Sequence, residues 1–116
     1  MVFGNYAQQL REQRYQISHR YSVRQTARRI GVDPAYLRRV ERGDTVPPSE
    51  ETIQRLAADL GEDADVLLAR AGKVADDIRN TIIDRPILFA ELIRSLSQVA
   101  DDRLKRLVRK TRNHPA

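Results

Sequence analysis

The sequence predicts an all-α protein: a five-helix domain followed by about three further helices. Three observations predict it. Apolar residues recur at helical spacing along the chain, with no alternating strand pattern and no Asn-Gly hairpin turn. Gly31, Gly43, Gly61 and Gly72 each follow such an apolar-periodic stretch, where a helix end calls for a left-handed residue. Pro34 and Pro86 come directly after Asp33 and Arg85 and suit the first position of a helix, where the missing N–H costs nothing.

Taken in order, helix 1 is expected at about residues 4–17, with Phe3, Tyr6, Ala7, Leu10 and Ile17 turned inward. Helix 2 covers about 23–30, capped by Ser22, with Val23, Ala27 and Ile30 inward. Helix 3 covers about 34–42, capped by Asp33, and buries Leu37 and Val40. Pro47-Pro48 then breaks the chain before Ser49, which caps helix 4 at about 50–60, with Glu50 and Glu51 in its first turn. Ile53, Leu56, Ala57 and Leu60 form its inner face. A short helix 5, about 64–71, is capped by Asp63 and buries Val66, Leu67 and Leu68. Beyond Gly72 the periodicity gives helices near 74–84, 86–98 and 101–112.

A chain of 116 residues suits one small domain with an appendage, here 1–72 and 73–116. There is no cysteine, which removes disulfides, thiolate metal sites and thiol nucleophiles. No apolar run of membrane-spanning length occurs, and the first twenty residues carry Arg11, Glu12 and Arg14 instead of a leader's apolar core. The expected location is the cytoplasm. The only histidines are His19 and His114, and there is no HExxH, glycine-rich phosphate loop or serine elbow. Asp76-Asp77 and Asp101-Asp102 read as helix-start charges. Neither an enzyme, nor a metal site, nor a cofactor is expected.

The net charge of +5 is unevenly spread. Residues 1–42 hold nine arginines against three acids, and residues 43–72 hold two arginines against seven acids. Residues 73–116 hold ten lysines or arginines against six acids. A basic front beside an acidic segment attracts a polyanion to one side, unless the cations merely solvate helix faces.

Helices 2 and 3 are joined by Gly31-Val32-Asp33, which has the length and chemistry of a helix-turn-helix, whose second helix enters the DNA major groove. Ala27 is small where helix 3 crosses, Gly31 supplies the left-handed turn, and Leu37 and Val40 seal the pair. Each feature is common; their joint spacing is specific.

These residues carry a family resemblance. Leu10-Arg11-Glu12-Gln13-Arg14, Ala27, Gly31, the run Asp-Pro-Ala-Tyr-Leu-Arg-Arg-Val-Glu-Arg-Gly (33–43), Pro-Pro-Ser-Glu-Glu-Thr-Ile-Gln-Arg-Leu-Ala (47–57) and Leu60-Gly61 stand in that order. Residues 7–70 thereby resemble the Cro/lambda-repressor (XRE) type of helix-turn-helix domain. Two departures stand out. The link from Tyr15 to Tyr21 is roughly two residues longer than usual and lacks the common glycine, and Val23 replaces a frequent phosphate-touching glutamine.

The resemblance implies a DNA-binding transcriptional regulator, expected to act as a repressor, and assigns roles. Pro34, Ala35 and Tyr36 lie nearest the groove floor and, with Arg38 and Arg39, are the candidate base contacts. Arg39 is the favoured guanine reader, Arg38 serves base or phosphate, and Ala35 suits a thymine methyl. Tyr36 either offers its hydroxyl to a phosphate or packs its ring partly in the core. Ser22, Arg24, Arg28 and Arg42 are candidate phosphate contacts. Arg28 and Arg29 read equally well as a solvated face. Glu41 is expected to pair with Arg14 of helix 1.

Leu88, Phe89, Leu92, Ile93 and Leu96, with Val99 beyond them, form a stripe wider than a surface helix needs, and Leu104, Leu107 and Val108 face away from a basic flank. Ile78, Ile82 and Ile83 add a further apolar face. The three helices are expected to bury much of this among themselves. The excess predicts a homodimer through Leu88, Phe89, Leu92, Ile93, Leu96, Leu104 and Leu107, reading a palindrome with two recognition helices. The alternatives are a tail folded on its own domain, and an antitoxin-like module or repressor sensed by a regulatory protein partner.

Overall fold

The computed structural model describes residues 2–113, and those residues are helical wherever they are regular. They form two compact units that meet after Ala75. The first holds α1 (Phe3–Tyr15), a single 3-10 turn (His19–Tyr21), α2 (Val23–Ile30), α3 (Pro34–Arg42), α4 (Glu50–Leu60) and α5 (Ala64–Arg70). The second holds α6 (Asp76–Asp84), α7 (Pro86–Leu96) and α8 (Asp101–Asn113).

In the first unit the helix ends follow their local chemistry. Ser22, Asp33, Ser49 and Asp63 cap α2, α3, α4 and α5 by accepting backbone N–H bonds. Gly31, Gly43 and Gly61 close α2, α3 and α4 in the left-handed region, with φ of 80°, 77° and 69°. The capped helices surround one core built from Phe3, Ala7 and Leu10, Ile30, Val40, the α4 face Ile53-Leu56-Ala57-Leu60, and Leu67-Leu68. Ala27 and Leu37 are also buried, at the α2–α3 crossing. Ala75 packs on this core as well, which ties residues 73–75 to the first unit.

Helix α1 lies across α3, and Gly4 is where their backbones meet. A Cβ there would stand 2.1 Å from the carbonyl oxygen of Val40 and 3.0 Å from that of Glu41. Three details depart from expectation. α1 ends at Tyr15, so Ile17 falls in the link and is 88% exposed instead of inward. Val66 lies on the outer side of α5, which spends its inner face on Leu67 and Leu68. The long link contains the 3-10 turn, whose Ser18 cap accepts from Arg20 N.

The second unit is built differently. None of the described residues of α6, α7 or α8 is fully buried; Ile82, Phe89, Leu96 and Leu104 are half-buried, so the expected internal burial of their apolar stripes is only partial. Three consecutive short helices do not by themselves enclose a core. Val99 lies beyond the end of α7.

Candidate nucleic-acid interface

The outward face of α3 is set by what its inward face must do. Leu37, Val40 and Glu41 point into the fold, which leaves Ala35, Arg38, Arg39 and Arg42 exposed on the other side, with Pro34 and Tyr36 half-buried between them. The entry to α3 is rigid. Gly31 turns the chain, Pro34 fixes the first helical residue, and Asp33 Oδ1 accepts from Ala35 N at 2.7 Å. The Tyr36 ring packs partly against the core, and the Arg39 guanidinium stands 5.9 Å from its centre. That places Arg39 over an aromatic face with its donors free toward solvent.

The inner side of α3 is locked by a buried ion pair, though with a different partner from the one the resemblance implied. Glu41 pairs with Arg11, not Arg14: Arg11 Nε and Nη2 donate to the two carboxylate oxygens at 2.6 and 2.9 Å. The side chains are 7% and 4% exposed, and Arg11 Nη1 also donates to the Tyr21 carbonyl at 3.1 Å. The reason is the direction of α1. Gly4, Ala7 and Arg11 share the face toward α3, and the small residues bring the helices close. Arg14 turns instead to the end of α4, donating to the Leu60 carbonyl at 3.0 Å and pairing with Glu62. Two small residues at one-turn spacing before Arg11 were the sequence signal for this pairing.

Arg29, read as either a phosphate contact or a solvated cation, is engaged within the fold. It donates to both oxygens of Asp59 at 2.6 and 3.1 Å and to the Arg20 carbonyl at 2.6 Å, and it lies 5.1 Å from the Tyr21 ring centre. The Asp59 hydrogen bond, opposed by some desolvation and reinforced by the carboxylate's charge, raises the guanidinium above its ordinary value. This side chain bridges α2 to α4 and to the 3-10 turn. Thr26, fully buried in α2, was also missed as a core position.

The remaining candidates on the exposed side fall as follows. Arg24 and Arg28 are exposed on α2, and Arg42 is paired with Asp44 at 3.0 Å in a solvent-exposed contact. Ser22 is half-buried, and its oxygen caps Gln25 N at 3.2 Å. A cleft of about 430 Å³ opens between the last turn of α1, the first turn of α2 and Arg38 of α3. His19 stacks on Tyr15 at 4.9 Å, and His114 lies outside the described residues. Among the described residues no group of three His, Cys, Asp or Glu is placed to hold a metal, and no helix is long and apolar enough to cross a membrane.

A helix-turn-helix domain model matches residues 2–71, well over half of the chain. The chain belongs to the helix-turn-helix domain family. Membership makes it a DNA-binding regulator, with α2 and α3 as the paired helices. A solved structure titled as the complex of SinR protein with SinI protein matches with a TM-score of 0.51 and 21% identity, covering 96% of this chain and 95% of that one. That likeness supports the all-helical fold. No curated protein matches the sequence.

Proposed function

We propose that this helix-turn-helix protein is a sequence-specific transcriptional repressor of the XRE type that binds a palindromic operator as a homodimer, in the cytoplasm. One observation carries the reading: α3 is fixed from behind by Leu37, Val40 and the Arg11–Glu41 pair while Ala35, Arg38 and Arg39 stand open on its front. A rigid helix with outward arginines at its second turn is what major-groove readout needs, because a displaced donor loses its bidentate fit to guanine. Pro34, Ala35, Tyr36 and Arg39 are the proposed base-side residues, Ser22, Arg24, Arg28 and Arg42 the phosphate side, and Arg38 stands between the two, able to serve base or phosphate. The dimer is proposed to form through α7 and α8, where Leu88, Leu92, Ile93 and Leu107 are exposed.

Selection from a random duplex library with the full chain at about 150 mM salt tests this. An enriched inverted repeat with half-sites about 34 Å apart is expected. Arg39→Ala is expected to erase preference at one symmetric pair of positions. Weak binding to all duplexes alike, with no enriched repeat, overturns the proposal.

A second reading is favoured by the same exposed apolar faces. The similar solved structure is titled as a complex of two proteins, and a regulatory protein that covers α7 and α8 would compete with self-association. Its signature is a partner-dependent loss of operator binding without any change in the first unit.

A further inference from the structure

Arg38 and Arg39 are neighbours in sequence, and the resemblance left Arg38 free to read a base or hold a phosphate. Their surroundings are different. Arg39 stands over the Tyr36 ring on the front of α3. Arg38 instead lines a cleft shared with the last turn of α1 and with Ser22, Val23 and Arg24 at the start of α2. Resting on the DNA-binding reading above, we infer that Arg38 and Arg24 act as a two-sided clamp on a single backbone phosphate, and that Arg39 alone among the α3 arginines reads a base.

Three features make the cleft suited to an anion. Arg24 and Arg38 are exposed, and neither makes a hydrogen bond or ion pair within the described residues, so both guanidinium groups are available. The third lining arginine, Arg11, is already neutralised by Glu41 and fixes the floor. The lining carboxylate, Glu12, is solvent-exposed and accepts from Gln8 Nε2 at 3.3 Å, so water and salt screen its repulsion of an incoming phosphate. Val23 in the lining has no side-chain donor, so the cleft's free donors are the charged forks of two arginines on two helices. The clamp also joins the two helices of the motif through the DNA itself, so a phosphate seated there sets the register in which Arg39 meets its base.

The test separates position from specificity. The full-length wild type, Arg38→Ala, Arg39→Ala, Arg24→Ala and the Arg24→Ala/Arg38→Ala double variant are each taken through random-duplex selection. Each is then titrated with salt on the enriched duplex and on a shuffled duplex. Arg38→Ala is expected to leave the enriched motif unchanged, to weaken both duplexes about five- to tenfold, and to lower the salt slope by about one. The double variant is expected to lose less than the product of the two single losses, because both remove the same phosphate. Arg38→Lys is expected to recover part of the affinity and the salt slope, since the lysine keeps the charge on the phosphate but not the fork. Loss of preference at one symmetric pair of positions in Arg38→Ala, or independent losses in the double variant, overturns the clamp while leaving the regulator reading intact. A wild type that enriches nothing overturns both, and is told apart by its flat selection. Arg38 and Arg24 are exposed, so unchanged helical content and melting temperature are expected throughout.

Discussion

Arg11 carries its charge into a place where little of its side chain meets water, and it is stable there because Glu41 and the Tyr21 carbonyl take up its inward donors. Removing one partner strands the other. Arg11→Met or Glu41→Leu alone is expected to cost about 3–5 kcal/mol, and the double substitution much less than the sum, in a urea-unfolding cycle. Arg14→Met, which disturbs a pair about a quarter exposed on each side, is expected to cost roughly 1 kcal/mol or less. Equal losses for Arg11→Met and Arg14→Met would contradict the assignment. Gly4 is the other sensitive residue, since an added methyl meets two backbone carbonyls that cannot rotate away. Gly4→Ala is expected to destabilise by about 1–3 kcal/mol or more, read as a lowered melting temperature with α1 loosened from α3.

At the scale of the elements, the first unit was legible because its boundaries are local. A serine or aspartate cap, an acid or proline in the first turn and a glycine at φ near +75° lie within a few residues of each helix they delimit. The link between α1 and α2 was not legible, because nothing local specifies it. Its carbonyls at Arg20 and Tyr21 are held by arginines nine and ten residues away, and Asp59 anchors one of those arginines from a third helix. The inward residues of α3, Leu37 and Val40, followed from periodicity and its outward roles from the family resemblance, whereas the choice between Arg11 and Arg14 depended on where α1 crosses α3. Arg29→Met therefore tests the link as an element. It is expected to speed amide exchange at Ser18–Ser22 by tenfold or more, to cost about 1–2 kcal/mol, and to leave α3 protection almost unchanged. Uniform loss of protection across α2, α3 and α4 would show that Arg29 supports the whole core instead of the link.

For the whole molecule, the two units differ in what they do with apolar surface. The first gathers most of its apolar residues into one core, while the second has no fully buried residue among those described and leaves Ile87 79%, Leu88 63%, Ile93 54% and Leu92 49% exposed. Fully burying a leucine or isoleucine contributes about 1.5–3 kcal/mol, so covering these four and Leu107 in each of two copies supplies several kcal/mol, enough to outweigh part of the entropy of association. A homodimer has a further advantage on DNA. Once one recognition helix is bound, the second meets its half-site at high effective concentration, so an inverted repeat is held far more tightly than either half. Leu92→Asp with Leu107→Asp puts charge into that surface without touching the first unit. The wild type is expected to sediment as a dimer, and the double variant as a monomer with unchanged helical content in residues 3–70. Its affinity for an inverted repeat is expected to fall more than about thirtyfold, toward that for a single half-site, with Arg39 preference retained within the half-site. A monomeric wild type that binds the full repeat with undiminished affinity would remove the dimer from the proposal. The reading of a single half-site by α3 would remain.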